Sequence, residues 1–163
     1  RLTSLLKDYR SFARPQRLNL TTASLGRIIE EVVLSVSRSY RASGIFFDLD
    51  LKEDCPLVAV GREKMTQVLL NLFKNAFEAM PAGGLITSKV YPSNNGVTLE
   101  VGDTGTGIAE NVDVFQLFST TKPDGTGLGL AIVEQIVNDH QGTVNYVSNI
   151  GKGTTFKIWL PAA

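Results

Sequence analysis

The fourteen residues QVLLNLFKNAFEAM (67–80) carry two patterns at once. Leu69, Leu72, Phe73, Ala76 and Met80 recur at helical spacing, which predicts a core-facing helix from about Arg62 to Met80, stopped by Pro81 and a Gly83-Gly84 turn. Beside that stripe Asn71, Asn75 and Glu78 stand at i, i+4 and i+7 and form one polar line. Asn is a poor mid-helix residue because its amide competes for backbone hydrogen bonds. Two of them one turn apart carry a cost that Lys or Glu on a solvated face would not. Amide and carboxylate oxygens in a row suit Mg²⁺, a hard cation that keeps several of its own waters. An ordinary solvent-facing stripe is the other reading, and this helix alone leaves both open.

Working outward, residues 1–14 place Leu2, Leu5, Leu6, Tyr9 and Phe12 at helical spacing until Pro15, which reads as the stub of a longer helix. Residues 15–24 read as a short polar linker. Ser24 is positioned to cap a helix over about 25–42 with Leu25, Ile28, Ile29, Val32, Val33 and Val36 on one face, ended by Gly44. Strands are expected over 45–51, 57–60, 85–91 and 97–103, with Pro92 to Gly96 as a loop between the last two. About 20 residues rich in Gly, Thr and Asp follow, with a short helix near 111–117. A helix over about 127–140 and strands at 142–148 and 153–160 close the chain. The order predicts an α+β fold, with helices on one face of a largely antiparallel sheet. A structureless connection this long inside a compact domain reads as a functional lid or as disorder.

Composition narrows the function. The chain has 163 residues, 43% of them apolar, with 16 basic and 16 acidic side chains. That balance gives no broad electrostatic footprint for nucleic acid or an anionic membrane. No apolar run reaches the length of a membrane span. One cysteine and one histidine remove disulfides, thiolate or His-rich metal sites and any Ser-His-Asp scheme, and they make a reducing, cytoplasmic setting the expectation. A chain that opens on Arg1 with no signal-like segment reads as part of something longer.

Six of the fifteen glycines fall between Gly102 and Gly129. One group, Asp103-Thr104-Gly105-Thr106-Gly107-Ile108, directly follows an expected strand. A carboxylate there can accept from an exocyclic amine, and the glycines let a flat ligand approach the backbone; a surface turn is the competing reading. The other group, Gly125-Thr126-Gly127-Leu128-Gly129-Leu130, opens an expected helix, where unobstructed N–H groups suit phosphate; a flexible hinge is the competing reading. It is neither a dinucleotide fingerprint nor a Walker A loop.

In order and spacing the three groups resemble the N, G1 and G2 boxes of the GHKL ATP-binding superfamily. Phe115-x-x-Phe118 followed by Ser119-Thr120-Thr121-Lys122 resembles the F box of sensor histidine kinases. The likeness covers about residues 25–163 and is strongest to the nitrogen-regulator-like class; the stub is similar to the end of a dimerisation and phosphotransfer helix. The resemblance implies a two-layer Bergerat sandwich, with about five strands and three main helices on one face. It implies ATP and Mg²⁺ as ligands, Asn75 on the metal, and Asn71 lining the phosphates. Glu78, Ile108, Thr121, Thr126 and Leu128 join the expected nucleotide-binding set. Asp103 takes the adenine amino group, Gly105 and Gly107 shape the rim, Lys122 is a lid cation, and Gly125, Gly127 and Gly129 cradle the phosphates.

Asn71 stands where gyrase, chaperone and mismatch-repair ATPases have a water-activating Glu, so transfer to a protein is implied rather than hydrolysis. The phosphoacceptor box is absent, which implies a partner dimerisation domain and, through it, a response regulator, in a homodimeric parent. An anti-sigma-factor-type Ser/Thr kinase and a non-catalytic nucleotide sensor remain as alternatives. Gly61 departs from the Asp that many relatives carry before the N-box helix. His140, near a helix C-terminus with no acidic residue following, is expected to bond the last carbonyls or lie exposed, with the helix dipole favouring its charged form.

Overall fold

A computed structural model describes residues 18–108, 114–115 and 129–163. In chain order these form β1 (Thr21–Ala23), α1 (Leu25–Ala42), β2 (Ile45–Leu51), β3 (Val58–Val60), α2 (Arg62–Glu78), β4 (Gly84–Ser93), β5 (Gly96–Asp103), α3 (Gly129–Asp139), β6 (Thr143–Asn149) and β7 (Gly153–Pro161). The main sheet has five strands in the order β2-β4-β5-β7-β6, and β1 and β3 make a separate two-stranded sheet. Only β2 and β4 run parallel in the main sheet; its other pairs are antiparallel.

The expected α+β two-layer sandwich is what the chain forms. Each strand alternates, so Ile86, Val90, Leu99, Val101, Phe156 and Ile158 face inward and are buried. The outward row Lys89, Glu100 and Lys157 is in register and alternates in charge, as a solvated face should. The three helices cover the inner face with buried stripes: Leu25, Ile28, Ile29, Val32 and Val33 from α1, Met65, Val68, Leu69, Leu72, Phe73 and Ala76 from α2, and Ala131 to Val133, Ile136 and Val137 from α3. At the centre Phe73 is fully buried and meets Phe47 edge-on at 5.2 Å. Among the described residues no helix is long and apolar enough to cross a membrane.

Local signals account for most boundaries. The Ser24 hydroxyl accepts from the Arg27 amide, and Gly44 takes a φ of 78° just beyond the end of α1. Two segments differ from the sequence reading. The expected linker carries β1 at its end, because Thr21–Ala23 pairs with Val58–Val60 across a long sequence separation that no local pattern records. The expected loop after Tyr91 is instead a continuation of β4 through Pro92 and Ser93 to a two-residue turn, with Asn94 and Asn95 at φ 48° and 58°. Pro92 is tolerated there because β2 stops pairing at Val90, so no partner on that side needs its missing N–H. The helical stub over 1–14 and the short helix near 111–117 lie outside the described residues, apart from Val114 and Phe115, which sit in a turn.

Phe73→Ala is expected to cost about 3–5 kcal/mol of stability, since the aromatic fills the junction of helix and sheet layers. Urea denaturation checks this; a loss below about 1 kcal/mol would mean the layers can collapse onto the gap.

Candidate active site

Burial of the apolar stripe of α2 sets the direction of its polar line. Asn71 and Asn75 are half-buried, and Glu78 is exposed at the end of the line. The Asn71 side-chain amide donates to the Gly129 carbonyl at 3.2 Å, which brings the line against the first residue of α3. With its N–H used in this way, Asn71 keeps its Oδ1 as an acceptor. Among the described residues nothing would come within 4 Å of a Cβ at Gly129, so they leave open space beside the start of α3. Near the other end of the line, burial and then the Glu78 carboxylate push the Tyr40 hydroxyl up to about 12.

The end of β5 supplies the second wall. Asp103 Oδ1 accepts from the Gly105 amide at 2.8 Å and from the Thr154 amide at 3.3 Å, so two backbone donors hold the carboxylate in one orientation. The turn beyond it is laced to its surroundings. The Thr106 amide donates to the Ala79 carbonyl at 3.2 Å, the Gly151 amide to the Thr106 carbonyl at 2.8 Å, and the Ile108 amide to the Ser148 hydroxyl at 2.7 Å. The two glycines of this turn clear protein rather than ligand: a Cβ at Gly105 would stand 2.5 Å from the Ala79 carbonyl, and one at Gly107 would stand 2.4 Å from that of Asn149. Gly107 also sits at φ 78°, where a side chain is strained.

The structure therefore pairs Asn71 with Gly129, and it sets Asp103, Gly105, Gly107 and Ile108 in one turn that is tied to the end of α2 through Ala79. Thr121, Lys122, Gly125, Thr126, Gly127 and Leu128 lie outside the described residues, as does Phe118. Phe115 itself meets Tyr146 of β6 and Phe156 of β7 edge-on at 5.9 and 6.3 Å. Ser148 and Thr154 were not singled out by sequence; they act through long-range contacts with the turn after β5, for which a strand pattern gives no signal. Of the two expectations for His140, the bond to a last-turn carbonyl is the one that the structure shows. It is buried rather than exposed, it does bond the carbonyl of Ile136, and its other nitrogen accepts from the Gly61 amide, which a charged imidazole could not do.

The donor set suits Mg²⁺ held partly by phosphate. Asn71 and Asn75 offer neutral amide oxygens one turn apart, and among the described residues no group of three His, Cys, Asp or Glu could hold a metal unaided. A cation there must share its shell with water and an anionic ligand, which is the usual state of Mg²⁺ at nucleotide sites.

A sandwich with a polar helical line, a fixed carboxylate at a strand end and a glycine-opened helix defines an ATP-binding domain of the GHKL type. Residues 61–163 match the histidine kinase-, DNA gyrase B- and HSP90-like ATPases, and the chain belongs to that family. Among curated proteins it is similar to the sensor histidine kinase ZraS of Escherichia coli strain K12, 36% identical over 163 residues covering 99% of this chain and 35% of that one. The chain thus spans little more than a third of that relative's length. Among solved structures, full-length ShkA in complex with AMPPNP superimposes with a TM-score of 0.89 at 28% identity, covering 99% of this chain and 36% of that one. Histidine kinase ThkA, solved in complex with the response regulator protein TrrA, gives 0.82 at 27% identity, covering 99% and 47%.

Gly107→Ala is expected to cost on the order of 2–3 kcal/mol, from the left-handed backbone and the occupied space together. Thermal denaturation measures it; an unchanged midpoint would show that the turn after β5 is free to move away from Asn149.

Proposed function

We propose that this chain is the catalytic domain of a cytoplasmic-facing sensor histidine kinase. It binds Mg·ATP between α2 and the start of α3 and donates the γ-phosphoryl group to a histidine on a dimerisation domain outside the chain. The observation that carries the proposal is the Asn71–Gly129 hydrogen bond, which joins the polar line to a glycine-opened helix with open space beside it. The similarity to ZraS and to the AMPPNP complex of ShkA supports the same reading.

In this assignment Asp103, held by two amides, accepts from the adenine amino group. Asn75 and Asn71 direct their oxygens at the metal and the phosphates. When bound, Mg²⁺ supplies neutralisation of phosphate charge. Gly125, Gly127 and Gly129 are assigned to the phosphate oxygens, since a glycine puts no side chain between a backbone N–H and an anion, and Lys122 is assigned as the cation for the transferred group. Glu78, Thr121, Thr126, Leu128 and Ile108 complete the lining. Phosphoryl transfer asks mainly for positioning and charge stabilisation, and these residues provide both. Asn71 cannot act as a base, so water is not activated at its position. The acceptor imidazole gains an N–P bond as the bond to the ADP oxygen breaks, and it loses its own proton on the accepting domain. A response regulator is the proposed onward partner, a reading that the likeness to ThkA, solved in complex with TrrA, supports, and a homodimeric parent belongs to the same proposal.

Asn75→Ala is expected to remove measurable Mg²⁺-dependent ATP binding by calorimetry while shifting the melting temperature by no more than about 2 °C. Undiminished affinity in the folded variant would contradict the metal assignment. With γ-labelled ATP the chain alone should gain no acid-labile label, whereas an added dimerisation domain carrying the acceptor histidine should. Label on the chain itself, lost in His140→Ala, would contradict the division of labour.

A further inference from the structure

We propose that His140 is a positioning residue for the nucleotide site: from the end of α3 it caps the start of α2 and so clamps together the two helices that carry the site. The inference rests on the functional reading above and adds a residue that the site itself does not contain.

α2 begins without a cap of its own. Gly61 occupies the N-cap position with extended backbone and no side chain to accept a helix amide. Such an end leaves backbone donors orphaned. The Gly61 amide instead donates to His140 Nε2 at 3.0 Å, across 79 residues of sequence. The other ring nitrogen, Nδ1, lies 2.8 Å from the Ile136 carbonyl of α3. A carbonyl can only accept and an amide N–H can only donate, so one tautomer satisfies both contacts, with the proton on Nδ1. The imidazole is buried at 6% exposure, and the backbone just beyond it is pinned: a Cβ at Gly142 would stand 2.3 Å from the Trp159 carbonyl. Each ring nitrogen thus has a backbone partner, one at the start of α2 and one in α3.

The arithmetic of the two helices shows why this matters at the site. On α2 the ties fall at residues 61 and 71, ten residues apart; on α3 they fall at 140 and 129, eleven apart. At a helical rise of about 1.5 Å per residue the spans are roughly 15 and 16.5 Å, so two antiparallel helices are pinned at similar distances. One pin is Asn71 to Gly129 at the site, and the other is Gly61 to His140 at the far end. Releasing the far pin lets α3 pivot about the near one. Its first residue, on which the phosphate cradle depends, would then lose its fixed relation to Asn71 and Asn75. Nothing in the backbone demands glycine at position 61: its φ is −83°, and an added Cβ would meet only ordinary contacts, with Leu18 at 3.5 Å and His140 Nε2 at 3.7 Å. A local cap can therefore be introduced there as a control.

The test measures melting temperature and Mg·AMPPNP affinity for the chain, for His140→Ala, and for His140→Ala combined with Gly61→Ser. The single variant should lose stability and bind about tenfold more weakly, the net worth of about one hydrogen bond. The added serine gives the first-turn amides of α2 the side-chain acceptor that Gly61 lacks but no tie to α3, so stability should rise again while affinity does not. Affinity recovering along with stability, or affinity within about twofold of the parent in the single variant, would overturn the clamp. Should the single variant fail to fold, nitrogen NMR of the unaltered chain decides, because it has one histidine. A proton on Nδ1 and an imidazole signal that moves when Mg·AMPPNP binds support the clamp; a proton on Nε2, or a signal unmoved at saturation, overturns it. A chain that takes up no Mg·AMPPNP overturns the functional reading instead, and is told apart because the Nδ1–H tautomer persists without nucleotide.

Discussion

Burial of Leu69, Leu72, Phe73 and Ala76 against the sheet fixes how α2 is rotated about its axis, and the site is a consequence of that rotation. Once those four side chains face inward, helical geometry leaves Asn71 and Asn75 on the flank that meets α3. A rotation by one residue, about 100°, would put an amide into the core without a partner and turn the apolar stripe to water. Core packing and ligand geometry are therefore specified by the same turns of one helix. Under the proposed function this coupling explains why a residue type disfavoured in helix interiors sits there twice: a metal and phosphate site calls for short, neutral oxygen donors at a fixed height above a packed surface.

The second wall is built differently. Asp103 lies on a strand end, and two amides from separate segments hold one of its oxygens. The turn that follows is tied to the end of α2 through Ala79 and to the hairpin of β6 and β7 through Asn149 and Ser148. Movement of the carboxylate relative to the polar line is thus resisted by contacts at both ends of the turn. Preorganisation of this kind lowers the ordering cost of ligand binding. It also gives the glycines of the turn a role distinct from that of Gly129: they permit close approach of chain to chain, whereas Gly129 faces open space.

Much of this was legible in the sequence because it is local. The stripe and line of α2, the Ser24 cap, the Gly44 stop and the alternation of the strands all follow from periods of 3.6 and 2 and from turn chemistry. What was hidden depends on partners far along the chain. Thr21–Ala23 has too little pattern to announce a strand until Val58–Val60 lies beside it. Pro92 argues against a strand until β2 is seen to end two residues earlier in register. The carboxylate of Asp103 was legible, but the Thr154 amide that steadies it was not. His140 is the clearest case. Its position near a helix end suggested a bond to the last carbonyls or exposure, and it makes the bond; the Gly61 amide on its other nitrogen was hidden, because only the fold places that amide opposite it. The unusual Gly61 was visible in the sequence, and the structure supplies the reason it can be tolerated.

The central claim is that one cleft, between the polar line of α2 and the start of α3, receives the phosphates while Asp103 receives the base. A crystal structure of the chain with Mg·AMPPNP tests it most directly. The account predicts the metal on the Asn75 side-chain oxygen, phosphate oxygens at the amides that open α3, and the adenine amino group on the Asp103 carboxylate. Nucleotide bound on the outer face of the sheet, beside Tyr91 and Trp159, or with its base away from Asp103, would contradict it.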